Sequence, residues 1–247
     1  MLLLYFIRHG ETAQNSSRIV QGQSNVPLNE RGTQQANQAG KSLMQVHFDH
    51  AFCSDLQRTR TTMEIIQSHN SHFPEVQYLP LLREIDAGSY VGKPYGQLAA
   101  EVRKRKGNLY TAKYPNGESR QDVYSRAKAF IAQYIQPLLA SSQDIRRVCI
   151  VSHGGWITQC MRVLSTDLKG GTYPNFKTAA SSLGESAAWT ELERGFVLPI
   201  VGGTVPQLTQ HVGNCRLHLF ALYPVVSKKS EQSFVSLEIA SDIQFVT

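Results

Sequence analysis

The sequence predicts an α/β protein with a mostly parallel central sheet and helices on both faces. Two observations carry that prediction. Residues 2–7 and 148–151 are continuous apolar runs of strand length, and each stops abruptly at a polar cluster: Arg8-His9-Gly10-Glu11-Thr12 after the first, Ser152-His153-Gly154-Gly155 after the second. Unbroken apolar runs belong to strands buried on both faces, as in parallel sheets covered by helices. Between the two runs, helical periodicity alternates with shorter strand-like segments, the order that crossover connections produce.

The elements follow in order. Residues 2–7 form the first strand rather than a secretory leader, since the run lacks a charged start and a cleavage site and Arg8-His9 interrupts it. A helix is expected over residues 33–46, with Ala36, Ala39, Leu43 and Val46 on one stripe. Residues 51–53 make a short second strand. Ser54 and Asp55 are N-cap candidates for the next helix, in which Met63 and Ile66 face inward. Residues 76–79 read as a strand, and Glu84 lies just past it. Residues 88–117 are irregular, basic and aromatic, broken by Gly92, Pro94, Gly107 and Pro115, and are expected to form a cap over a site, out to about residue 118. Ser119 with Asp122 opens a long helix whose apolar face carries Val123, Ala127, Phe130, Ile131, Tyr134, Ile135 and Leu138. After the strand at 148–151 comes a helix to Leu164. An insertion of little periodicity at 165–213 is expected to be peripheral, and residues 215–223 return to strand character. The 247 residues suit one domain.

Composition narrows the function classes. Apolar residues at 41% and charged residues at 18% mark an ordinary globular chain. The net charge is +6, with its densest run at Arg103-Lys104-Arg105-Lys106. A solvated helix face and an attractor of anionic ligands are both open readings of that run. No aromatic residues interleave with it, so nucleic acid is not an expected partner. No stretch approaches the ~20 apolar residues of a membrane helix, so no membrane association is expected either. Cys53, Cys149, Cys160 and Cys215 lie far apart, without CxxC spacing or a histidine at metal-ligand offsets. They read as buried thiols of a reducing compartment, which points to the cytoplasm, and no metal site or cofactor is expected. The sequence does not reveal an oligomeric state.

Both polar clusters stand where open α/β sheets bind ligands, beyond the carboxyl ends of strands. The first, with Asn15 three residues on, resembles the signature of the histidine phosphatase superfamily, which includes the cofactor-dependent phosphoglycerate mutases. Further segments resemble that family in the same order: Ser54-Asp55-Leu56-Gln57-Arg58-Thr59, Leu82-Arg83-Glu84 and Ser152-His153-Gly154-Gly155. The resemblance implies a phosphoglycerate-mutase-like three-layer α/β/α sandwich. It also implies that His9 takes the phosphoryl group, Arg8 and Arg58 neutralise its charge, His153 helps hold it, and Glu84 is the proton donor. For Glu84, a surface carboxylate paired with Arg83 is the alternative.

Two subgroups share longer stretches. Ile19-Val20-Gln21-Gly22-Gln23 and residues 50–56 are similar to TIGAR-type sugar bisphosphatases; residues 82–88 and 113–119 are similar to the fructose-2,6-bisphosphatase domain of the bifunctional kinase/bisphosphatase. The resemblance implies a small phosphorylated metabolite such as fructose 2,6-bisphosphate as substrate. It adds Asn15, Gln21, Gly22, Gln23, Gly154, Tyr95, Arg103, Lys104, Lys113 and Tyr114 as candidate substrate contacts. One departure stands out. The bifunctional enzymes carry Gln directly after the second histidine and Arg one turn later, where this chain has Gly154 and Thr158. A phosphoglycerate mutase, a broad-specificity or phosphoprotein phosphatase, and a non-catalytic binder of phosphorylated ligands remain the alternatives.

Overall fold

The structure, a computed structural model, describes residues 2–104, 106–140, 146–166, 217–225 and 233–243. The expected insertion lies outside these residues except for 165–166, which end a helix, and Arg105 and Cys215 also lie outside.

Six strands join in one sheet among the described residues: β1 (Leu2–Arg8), β2 (His50–Cys53), β3 (Val76–Tyr78), β4 (Arg146–Ser152), β5 (Leu217–Val225) and β6 (Ser233–Ile243), in the spatial order β3-β2-β4-β1-β5-β6. The first four run parallel, and β5 and β6 are antiparallel to their neighbours. The mostly parallel sheet is as expected. Strand β6 extends it by a member that the periodicity had not singled out.

Alternation along β1 builds the three layers. Leu2, Leu4 and Phe6 join Phe52, Val148 and Ile150 in a core with α5 (Arg120–Phe130) and α7 (Gly154–Thr166), through Val123, Phe130, Trp156 and Ile157. Tyr5 and Ile7 point the other way, with Ala51, Cys149 and Val151, toward α2 (Glu30–Leu43) and α3 (Gln57–Ser68), meeting Ala36, Leu43, Met63 and Ile66. A strand buried on both faces has no solvent side, which is why its sequence is apolar throughout. Cys53, Cys149 and Cys160 are free thiols buried in these layers, and burial pushes all three pKa values up.

Helix ends show where local chemistry outweighed the apolar stripe. Helix α2 starts three residues before the expected position, because the Asn29 side chain accepts from the Gly32 amide at 2.7 Å and caps it. It ends at Leu43, leaving Val46 beyond it. The N-cap of α3 is Leu56, without a side-chain cap, rather than Ser54 or Asp55. At α5 the expected Ser119–Asp122 capping box forms. A π-helical turn at Ile131–Ile135 links α5 to α6 (Gln136–Ala140), where the Gln136 amide bonds back to the Ile131 carbonyl, just before Pro137, which has no amide hydrogen to give.

Candidate active site

The β1–β4 register pairs Arg8 with Ser152, so His9 and His153 leave adjacent strands at the same level, and their ring centroids lie 5.1 Å apart. Strand β2 delivers Ser54 to that end and α3 then presents Arg58 from its first turn, while the chain after β3 delivers Glu84. Arg8, His9, Arg58 and Glu84 line one cavity of about 600 Å³.

His9 is buried, and its ring is fixed by what surrounds it. Nδ1 lies 2.7 Å from the Gly10 carbonyl, which can only accept, so Nδ1 carries the proton. The lone pair is therefore on Nε2, which accepts from Arg58 Nε at 3.3 Å. Burial, then the charge of Arg58, then that of Arg8, hold the His9 pKa well below its ordinary value. Arg58 itself is buried, with its Nη groups on the carbonyls of Ser24 and Gly22, both at 2.8 Å. Gly22 has φ +53°, a conformation that glycine adopts without steric cost and that turns its carbonyl onto the guanidinium. Burial pushes the Arg58 pKa down to about 10, which leaves it cationic at neutral pH.

His153 is also buried, with Nε2 at 2.8 Å from Ser54 Oγ and Nδ1 buried without a hydrogen-bond partner. Burial, then Arg58, then His9, lower its pKa well below the usual value. A neutral His153 that accepts the Ser54 hydroxyl proton at Nε2 presents Nδ1–H as a donor. The Glu84 carboxylate accepts from the Ile85 amide at 2.9 Å and, across the site, from the Gly155 amide at 3.0 Å. It is not paired with Arg83, whose guanidinium forks onto Asp55 at 2.7 and 2.5 Å and draws the Asp55 carboxyl below its usual range.

Two histidines buried neutral have a consequence for stability. The unfolded chain takes up protons near pH 6.5, where the folded chain does not. Stability is therefore flat above about pH 6.5 and falls below it, with a limiting slope of about 1.4 kcal/mol per pH unit for each histidine. Urea unfolding between pH 7.5 and 5 is expected to show this fall, and His153→Gln to reduce its slope. A midpoint independent of pH in both proteins would contradict the buried neutral pair.

The remaining sequence candidates divide. Asn15, Gln21, Gly22, Tyr95, Tyr114 and Gly154 line the same cavity. Asn15 caps α1 (Ala13–Ser16) together with Thr12 and donates to the Tyr95 hydroxyl at 3.3 Å. A Cβ on Gly154 would lie 3.4 Å from Arg8 Nε, so a larger residue there would grow against Arg8. Gln23 stands behind the site and donates to the Glu84 carbonyl at 3.1 Å. Arg103, Lys104 and Lys113 are not brought to the cavity. The first two lie on the exposed side of α4 (Gln97–Lys104), whose Leu98 and Ala99 face inward instead, and Lys113 pairs with Asp122 at 3.3 Å.

Three residues that hold the site's side chains or line its cavity do not follow from the sequence motifs. Ser54, expected as a helix cap, holds His153. Arg126 donates from α5 to the carbonyls of Leu81, Arg83 and Glu84, and its fork pairs with Glu118, so it fixes the segment that carries Glu84. Arg120, the first residue of α5, lines the cavity. Both arginines left a trace: Arg126 falls on the buried stripe between Val123 and Phe130, and Arg120 opposes the dipole of the helix it opens.

The family model of the histidine phosphatase superfamily (branch 1) matches residues 4–191. The chain belongs to that superfamily. It is 32% identical to fructose-2,6-bisphosphatase TIGAR of Xenopus laevis over 74% of its own length, and it spans only 65% of that relative. It is 35% identical to the Citrobacter koseri protein named "Probable phosphoglycerate mutase GpmB", over 62% of this chain and 74% of that one. Among solved structures, a mycobacterial glucosyl-3-phosphoglycerate phosphatase superposes with a TM-score of 0.61 at 25% identity, covering 88% of this chain and 89% of the other. In this chain His9 and His153 leave the carboxyl ends of the neighbouring interior strands β1 and β4, with Arg8 and Arg58 beside His9 in the cavity lining.

Proposed function

We propose that the chain is a metal-independent phosphatase that hydrolyses phosphomonoesters of small metabolites through a phosphoryl group carried on Nε2 of His9. The observation that carries this reading is the His9 tautomer: a neutral ring whose only lone pair faces the Arg58 guanidinium. In the first half-reaction Nε2 attacks phosphorus, the N–P bond forms, and the bond from phosphorus to the ester oxygen breaks. Glu84, entering as the acid, gives its proton to the departing oxygen. Arg8, Arg58 and Nδ1–H of His153 receive the equatorial oxygens. In the second half, water attacks phosphorus, Glu84 takes its proton, and the electron pair of the N–P bond returns to Nε2.

A rapid-quench experiment tests this reading. Mixing with substrate is expected to leave an acid-labile phosphoryl adduct on the peptide containing His9, followed by release of inorganic phosphate. Phosphate release without an adduct on His9 at any time would overturn it. Transfer between substrate positions without net release would instead favour a mutase, as the GpmB likeness suggests. The TIGAR likeness supports a sugar bisphosphate as substrate and makes fructose 2,6-bisphosphate a necessary test compound.

Gly155 provides a check on Glu84. A Cβ at residue 155 would come within 2.3 Å of Glu84 Oε1, the far end of a flexible side chain. Gly155→Ala should therefore move the carboxylate rather than unfold the protein, lowering kcat/KM, which reports the first half-reaction alone, by up to about 100-fold, the scale of a 1 Å misplacement. The loss should be smaller for esters of acidic alcohols, whose oxygen leaves without a proton. An equal loss for all leaving groups would remove Glu84 as the acid.

A further inference from the structure

The cavity is too large for a phosphoryl group alone, and its volume suits a metabolite-sized ligand. Besides Arg8, His9, Arg58 and Glu84, its lining includes Leu98 and Ala99 of α4, Leu109, Ala112 and Val123, together with Tyr95 and Tyr114. The basic side of α4 faces solvent. Beyond Arg8 and Arg58, the cation in the lining among the described residues is Arg120.

Arg120 forms no ion pair with any described residue, whereas Arg83, Lys113 and Arg126 each have a carboxylate partner. Its field reaches the site: burial raises the Tyr114 pKa, and Arg120 is the first influence that opposes that rise. A planar guanidinium carries one charge and two parallel donors, which match one carboxylate. A second phosphate dianion would meet one exposed arginine among neutral side chains, the polar Tyr114, Thr158 and Gln159 included, so one of its two charges would go unmatched.

We propose, resting on the phosphatase reading above, that the preferred substrate is a phosphomonoester with an apolar carbon body ending in a carboxylate, and that Arg120 binds this carboxylate. The body packs against Leu98, Leu109 and Val123 while the phosphoryl group sits between Arg8 and Arg58.

The test compares kcat/KM for phenyl phosphate, 4-(2-carboxyethyl)phenyl phosphate and fructose 2,6-bisphosphate, in the wild type and in Arg120→Gln. The carboxylated ester is expected to exceed phenyl phosphate by about tenfold, as a charge-assisted hydrogen-bonded pair provides. It should also exceed the bisphosphate. Arg120→Gln should erase the advantage over phenyl phosphate and leave phenyl phosphate turnover unchanged. Because Arg120 is exposed, the variant should fold, and its turnover of phenyl phosphate checks that directly. Faster turnover of the bisphosphate, or an advantage that persists in the variant, would overturn the proposal while leaving the phosphatase reading intact. No turnover of any ester by the wild type, with no adduct on His9, would overturn both.

Discussion

The His9→Ala variant is expected to lose kcat/KM by on the order of 10⁴-fold or more, as other enzymes do when their nucleophile is removed. The expectation follows from how little else at this site can attack phosphorus. The Glu84 carboxylate is held by two amides, and His153 has one nitrogen on Ser54 and the other placed as a donor. Binding should survive the change. Arg8, Arg58 and His153 remain, so the affinity for inorganic phosphate should stay within a few-fold of wild type. The fold should also hold, because the side-chain hydrogen bond from Nδ1 is local, to the Gly10 carbonyl, while the backbone amide of residue 9 keeps its bond to Ser152. Steady-state kinetics, calorimetric titration with phosphate and the quench experiment together separate chemistry from binding. A variant that binds phosphate but neither turns over nor forms the adduct is the expected outcome. Retained turnover, or an adduct that moves to His153 in the wild type, would assign the nucleophile elsewhere.

Much of this arrangement was legible in the sequence because it follows from the backbone. The strands β1 and β4 announce themselves by apolar runs, and a parallel sheet places whatever follows them beyond the same carboxyl end. His9 and His153 could therefore be brought together without any knowledge of side-chain packing. The unread parts depend on packing. Val235, Leu237 and Ile239 alternate with Ser236 and Glu238, so β6 did carry a period-two signal, but it sat far from any recognisable motif. The basic run of the cap pointed to a ligand by charge alone. Only the orientation of α4 shows that its apolar edge, not Arg103 and Lys104, turns inward. Ser54 illustrates the same limit: a hydroxyl before a helix has two common uses, capping and side-chain hydrogen bonding. The choice was made here by an imidazole distant in sequence.

Arg58→Ala is expected to lower kcat/KM by about 10²–10³-fold, on the order of 2.7–4 kcal/mol of transition-state stabilisation. The guanidinium touches the His9 ring, the proposed nucleophile, so its loss acts in two ways that can be told apart. It removes fixed positive charge from the position where the phosphoryl oxygens gather, which lowers the rate at every pH. It also removes one of the influences that keep His9 unprotonated. The His9 pKa should therefore rise in the variant, and the acid limb of the rate profile should move to higher pH. Folding will suffer to some extent, since the Gly22 and Ser24 carbonyls lose their donors, by about 1–3 kcal/mol for a buried acceptor left unmatched. Arg58→Lys separates the contributions. Lysine restores a charge but not the fork that spans His9, Gly22 and Ser24, so it should return the acid limb toward that of the wild type while recovering only part of the rate. A variant with reduced rate and an unmoved acid limb would mean that Arg58 serves the loop around Gly22 rather than the reacting group. An unchanged rate would remove it from the site altogether.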